Sequence, residues 1–227
     1  MMKAFALTEI KQVTKGETHF GDCRFDRVCT DTRTLKAGDL FVALSGDNFD
    51  AHDFLVDVEK KKAAGIVVSQ LREDIHLPQL LVENTTQALG SIAMFNRDHF
   101  SGSVIGITGS CGKTTVKTML KNIFEQATSH QEVLATEGNF NNHIGVPLTL
   151  FNINKEHKYA VIEMGASGSG EIKYLSGLSK PDVVVVTNAL QAHVEGFGSV
   201  EGVVKAKGEL FESLKEGGTA VVNRDDP

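Results

Sequence analysis

Short apolar runs alternate with amphipathic stretches along the whole chain, the pattern of an α/β protein. In the first hundred residues, Phe25–Thr30, Asp39–Leu44, Ile66–Ser69 and Leu80–Glu83 read as strands. Ala51–Ala64 reads as a helix ended by Gly65. Thr85–Phe95 reads as a second helix, with apolar residues at 88, 89, 92, 93 and 95 spaced for one buried face. The polar stretch Asn96–Gly102 reads as a linker, which sets one domain over 1–100 and another over 101–227. The second domain opens on the strand Ser103–Thr108. Tyr159–Met164, Asp182–Thr187 and Thr219–Asn223 are nearly continuous in apolar residues, which predicts central strands of a parallel sheet buried on both faces. The predicted fold is a small N-terminal α/β domain followed by a mostly parallel sheet flanked by helices. A parallel strand needs a covering helix after it, so the ending Asp225-Asp226-Pro227 reads as a domain cut short.

Bulk properties narrow the function classes. A net charge of −6 speaks against a nucleic-acid surface. No apolar run is long enough to span a bilayer, and the start Met1-Met2-Lys3-Ala4-Phe5 lacks the apolar core of a signal peptide. The three cysteines have no zinc-type spacing and read as reduced thiols of a cytoplasmic protein. The eight histidines include no HExxH pair.

The strongest chemical signal is Gly109-Ser110-Cys111-Gly112-Lys113-Thr114-Thr115, which follows the strand Ser103–Thr108. After it, Val116, Met119, Leu120, Ile123 and Phe124 recur at helical spacing. The loop therefore lies between a strand and a helix N-terminus, the setting of a phosphate-binding loop. Backbone N–H groups can curl around an anion there, and the helix dipole adds positive potential. The expected ligand is the phosphate chain of a nucleotide, ATP. Lys113 can reach the outer phosphates and the Thr114 hydroxyl can reach Mg²⁺. The usual pattern has a glycine five residues before Gly112, where this chain has Ile107, so the loop is a shortened variant.

Three further residues bear on the same end of the sheet. Glu163 ends an apolar strand, where ligands bind in open α/β sheets. Alone it is equally a surface carboxylate; beside the loop a metal role is favoured. His193 lies just past the strand end at Thr187, and on its own a loop histidine is usually a solvated surface residue. Within the helical segment Ser199–Leu214, Lys205 shares a face with Glu201, Glu209 and Glu212, a solvated salt-bridge face. Lys207 instead falls on the stripe of Val203, Phe211 and Leu214. It either snorkels, which the pattern slightly favours, or turns a functional amine inward.

These segments together resemble the Mur ligase family, the ATP-dependent ligases that build the peptide of cell-wall precursors. Thr108–Thr115 is similar to that family's shortened ATP loop, with Cys111 at a position where the family has a small polar residue. Asp31-Thr32-Arg33, Gly38–Leu44 and Gly46–Phe54 resemble the UDP-sugar-binding domain of the family member type that joins D-Ala-D-Ala to UDP-MurNAc-tripeptide. Thr136–Asn142 with Ile144–Thr149, His193–Ser199 and Ala206–Phe211 resemble further segments of the same type. The resemblance implies substrate contacts at Asp31, Thr32, Arg33, Gly46, Asp50, His52, Asn139, Asn141 and Asn142. It implies two Mg²⁺ ions held with Thr114, Glu163 and His193, and catalytic roles for Lys113, Glu163, His193 and a carbamylated Lys207. It also implies a cytoplasmic monomer acting through an acyl phosphate, and a missing C-terminal ligase domain whose absence would leave these 227 residues inactive alone. One segment departs: Ser167-Gly168-Ser169 stands where this enzyme type often has a histidine. Another ligase of the superfamily, or a non-catalytic nucleotide-binding relative, is the competing expectation.

Overall fold

The computed structural model describes residues 2–47, 49–190 and 194–226. The chain divides into two compact units, Met1–His99 and Phe100–Pro227.

The first unit contains β1 (Phe5–Ala6), α1 (Leu7–Thr14), β2 (Glu17–His19), β3 (Arg24–Phe25), β4 (Val28–Cys29), β5 (Leu40–Val42), β6 (Ser45–Gly46), β7 (Phe49–Asp50), α2 (Leu55–Lys60), β8 (Gly65–Val68), β9 (Gln79–Leu81) and α3 (Thr85–Asp98). Its main sheet runs β2-β9-β8-β5-β4, parallel except for β2. Phe41 pairs in register with Ile66, so both side chains emerge on one face. There they form a core with Leu55 and Val58 of α2. The helix α1 packs against α3, and α3 reaches β8.

Local chemistry redraws three predicted boundaries in this unit. The helix expected over 51–64 splits, because the Asp50 side chain accepts from the His52 N–H at 2.9 Å and caps a single 3-10 turn, Ala51–Phe54. The α-helical part stops at Lys60, with Lys62 at φ 60°, and Gly65 opens the next strand instead of closing the helix. The first three residues of the predicted linker belong to a helix, since α3 continues to Asp98 with Asn96 and Arg97 buried, and the boundary between the units falls at His99–Phe100 within the rest of it. The strand expected over 25–30 is two short strands, β3 and β4.

The second unit contains β10 (Ser103–Thr108), α4 (Lys113–Ala127), β11 (Val133–Ala135), α5 (Gly145–Leu150), β12 (Tyr159–Glu163), α6 (Glu171–Ser179), β13 (Val183–Val186), α7 (Val194–Phe197), α8 (Val200–Glu212) and β14 (Thr219–Val222). All five strands are parallel in the order β11-β12-β10-β13-β14. The helix α4 covers one side of the sheet through β10, β11 and β12, while α6 and α8 pack together and also reach β10. This is the expected parallel sheet flanked by helices. Phe124 of α4 stacks on Tyr159 of β12, ring centroids 4.3 Å apart.

Two expectations of burial fail here. Val116, Leu120 and Phe124 pack on the core of Ile105, Ile107 and Val161, but Met119 and Ile123 are each 59% exposed. The packed stripe of α4 is therefore 116, 120 and 124, and the one buried residue of the helix is Lys117, outside that apolar set. The strand β14 is exposed along its length, because it lies at the edge of the sheet beside β13 alone.

Candidate active site

β10 ends at Thr108, and the chain turns through Gly109 to Gly112 before α4 begins at Lys113. A Cβ on Gly109 would come within 1.9 Å of the Thr187 hydroxyl oxygen, and Gly112 adopts φ 79° at the helix N-cap. Both positions therefore require glycine. The end of β13 braces the loop. The Thr187 hydroxyl donates to the Cys111 carbonyl at 2.6 Å, and the Cys111 N–H donates to Asn188 Oδ1 at 3.0 Å. The Ser110 N–H donates to the Asn188 carbonyl at 3.0 Å, and the Ser110 hydroxyl donates to the Leu190 carbonyl at 2.8 Å. The thiol of Cys111 is exposed. Lys113 folds over the loop, its Nζ donating to the Gly109 carbonyl at 2.7 Å.

Parallel register sets Glu163 beside Ile107, so its carboxylate emerges next to the loop. It is 2% exposed and fully engaged. The Thr114 hydroxyl donates to Oε2 at 3.0 Å and Asn141 Nδ2 donates to Oε1 at 2.9 Å. The ammonium of Lys117 lies 3.2 Å from Oε2 and also donates to the Gly138 carbonyl at 3.4 Å. The Glu163 N–H donates to the buried Thr136 hydroxyl at 3.0 Å.

A cleft of about 270 Å³ lies beside this cluster, and Gly109, Ser110, Lys113, Asn141, Asn142 and Lys207 are among its lining residues. Lys207 is 3% exposed, so it turns inward and does not snorkel. Its Nζ sits 5.4 Å from the centroid of Phe197. Burial first, and then the nearby Lys113 charge, pull its pKa down to about 8 against the opposing pull of Glu171 and Glu209. Glu209 is not on the solvated face expected for it. Its carboxylate accepts from the Gly170 N–H at 2.7 Å and the Lys173 N–H at 3.0 Å, closing the start of α6. Glu171 accepts from the Ser167 N–H at 3.0 Å, so these two carboxylates hold the segment containing Gly168.

Of the remaining predicted residues, Asn142 Oδ1 accepts from the Gly145 N–H at 2.8 Å, and Asn139 is exposed. His193 lies outside the described residues. In the first unit, Asp31, Thr32 and Arg33 line a separate pocket of about 590 Å³ with Phe41, Phe49 and Phe54. Phe49 and Phe54 stack there at 5.5 Å. Arg33 is paired with Asp31 and holds that carboxyl down at about 2. Asp50 and Gly46 belong to the adjacent β6–β7 hairpin. His52 is engaged at both nitrogens, Nδ1 with Asp50 at 2.5 Å and Nε2 accepting from the Ser69 N–H at 3.0 Å.

Sequence reasoning missed Lys117, Thr136 and Thr187. The signal for Lys117 was present: positions 113, 117, 120 and 124 fall on one helical face, which makes it a lysine within a packed stripe.

Comparison with known proteins accords with this geometry. The model of the Mur ligase middle domain matches residues 107–227. The UDP-N-acetylmuramoyl-tripeptide–D-alanyl-D-alanine ligase of Escherichia coli is 45% identical over 99% of this chain and 49% of its own length. That of Bacillus subtilis is 40% identical over 88% of this chain and 44% of its own. A MurF crystal structure from Acinetobacter baumannii superposes with a TM-score of 0.92 at 35% identity, covering 99% of this chain and 50% of that one. A MurF ligase from Thermotoga maritima in complex with ADP gives 0.81 at 36% identity, over 88% of this chain and 46% of that one. The chain thus spans about half the length of the curated relatives it matches. Shortened phosphate loop, buried carboxylate and family match agree: the chain belongs to the Mur ligase family.

Proposed function

We propose that the protein carrying this chain is an ATP-dependent amide ligase that joins D-Ala-D-Ala to UDP-MurNAc-tripeptide in cytoplasmic synthesis of peptidoglycan precursors, acting as a monomer. The observation that carries the reading is the convergence of Lys113, Thr114 and Glu163 beside the glycine loop, with Lys207 lining the same cleft. The relatives named as this ligase and the neighbour holding ADP support it. In the reaction, the terminal carboxylate of the tripeptide attacks the γ-phosphate of ATP, giving an acyl phosphate and ADP. The dipeptide amine then attacks the acyl carbonyl, phosphate leaves, and the nitrogen sheds a proton. Catalysis of this kind rests on positioning and charge neutralisation.

The loop Gly109 to Thr115 cradles the phosphates, chiefly through N–H groups at the start of α4 because those of Ser110 and Cys111 donate to Asn188, and Lys113 neutralises their outer charge. The hydroxyl of Thr114 and the carboxylate of Glu163 are hard oxygen donors suited to Mg²⁺. Among the described residues no group of three or more His, Cys, Asp or Glu could hold a metal. Mg²⁺ bound there supplies neutralisation of the transferring phosphoryl group. His193 and a carbamylated Lys207 serve a second ion. The lowered proton affinity of Lys207 leaves part of the amine neutral near neutral pH. That neutral form is the one that adds CO₂, losing a proton as the N–C bond forms. The first unit takes the UDP-sugar through Asp31, Thr32, Arg33, Gly46, Asp50 and His52, and Asn139, Asn141 and Asn142 face the substrate in the second.

The test is phosphate release from ATP by a ligase polypeptide carrying this chain, with UDP-MurNAc-tripeptide present. Release that depends on D-Ala-D-Ala and not on single amino acids is expected. Release with a single amino acid as the preferred acceptor would assign a different ligase.

A further inference from the structure

Lys117 has no place in the reaction as described, yet with Lys207 it is one of the two buried lysines among the described residues of the second unit's site. Its side chain is 8% exposed and that of Glu163 is 3% exposed. A charged ammonium taken out of water at this depth is costly unless a specific partner compensates it. The partner is Glu163 Oε2, the same oxygen that accepts from Thr114. That oxygen is the one a divalent ion beside Thr114 would use. The Gly138 carbonyl holds the ammonium from the other side. Glu163 Oε1 is engaged separately by Asn141. The carboxylate is thus neutralised and oriented by the protein's own cation.

We infer that Lys117 is a positioning residue that acts as a built-in counter-cation for Glu163, so that the site takes up its divalent ion together with nucleotide phosphates and not before them. The inference rests on the reading that Thr114 and Glu163 hold Mg²⁺. Charge decides the order of events. Glu163 contributes one negative charge, which Lys117 cancels, and the neighbouring Lys113 adds a further positive charge. A free dication meets a site with no net attraction. The phosphate chain of a nucleotide supplies the missing negative charge and the missing oxygen ligands together. Lys117 need not leave: fixed by Gly138, it keeps the carboxylate aimed at Thr114 while the ion approaches.

The experiment measures Mn²⁺, an EPR-visible stand-in for Mg²⁺, binding to the full chain at about pH 8 with and without ADP. Wild type is expected to bind Mn²⁺ weakly alone, with a Kd above about 1 mM, and much more tightly with ADP. Lys117→Met, and Lys117→Gln as a second neutral variant, are expected to bind Mn²⁺ without ADP at least about tenfold more tightly. Adding Glu163→Gln should abolish that gain, and Lys117→Arg should behave as wild type. Unchanged or weaker Mn²⁺ binding in the folded neutral variants overturns the inference. So does submillimolar Mn²⁺ binding by wild type without ADP that Glu163→Gln removes, a result that needs no Lys117 variant to fold. If Glu163→Gln leaves Mn²⁺ binding with ADP untouched, the metal-site reading itself falls, and this inference with it.

Discussion

Gly109 and Thr187 occupy the same space: a Cβ on the first would lie 1.9 Å from the hydroxyl oxygen of the second. Since that hydroxyl also donates to the Cys111 carbonyl, relief of the clash by rotation costs the loop a brace. Gly109→Ala is expected to lower stability by about 1–3 kcal/mol and to weaken ADP binding. Adding Thr187→Ala removes the clashing oxygen and should restore part of the stability but not the loop's affinity. Thermal midpoints and calorimetric ADP titrations of the single and double variants check both.

The depressed proton affinity of Lys207 makes stability depend on pH. Below pH 8 the folded and unfolded chains both carry the proton, and the penalty for burying the charge is constant. Between about 8 and 10.5 the folded chain has released a proton that the unfolded chain keeps, so this group's contribution to stability rises with pH. Lys207→Met should therefore be more stable than wild type at about pH 7, with the gap narrowing by about pH 9.5, as read from urea midpoints. Incubation with ¹³C-bicarbonate should also give a carbamate resonance in wild type that Lys207→Arg lacks.

Glu209 joins α8 to the start of α6 through two backbone N–H groups. Glu209→Gln should cost about 1 kcal/mol through the lost charge at the helix start. Glu209→Ala should cost about 1–2 kcal/mol by removing the acceptor of both N–H groups at the helix start. Urea denaturation gives both values, and equal stabilities for all three proteins would contradict this account.

In the first unit, Arg33→Ala is expected to weaken UDP-MurNAc-tripeptide binding about tenfold in calorimetry. The guanidinium lines the pocket beside the stacked pair Phe49–Phe54. Equal affinities would remove the UDP assignment from this pocket.

The phosphate loop and its flanking elements were legible because strand, glycine turn and helix each carry an independent local signal there. The position of Glu163 beside the loop was legible from the apolar strand that it ends, which runs parallel to the strand before the loop. Strands as short as β1 and β2 have too few positions to show a period, and neither was foreseen. Periodicity of apolar residues also misplaced the buried stripe of α4, because it takes Met119 and Ile123 as core and passes over Lys117, whose helical position alone marked it. Lys117 is buried through a charge partner 46 residues distant in sequence (163 − 117) and supplied by another strand. Apolar content likewise described β14 as central, although burial depends on how many neighbours cover a strand. The pattern separated Lys207 from Lys205 but left open whether Lys207 snorkels, and its burial was decided by packing.

The three cysteines give the protein an unforced chemical reporter. Cys29 is buried, and burial pushes the Cys23 thiol up to about 11, which keeps its nucleophilic thiolate scarce. Cys111 alone of the three stands exposed, in the middle of the glycine loop proposed to hold the phosphates. A mild alkylating reagent should therefore label that loop first. The rate of labelling becomes a direct clock for occupancy, slowing as ADP fills the loop, with no dye or tag added to the chain.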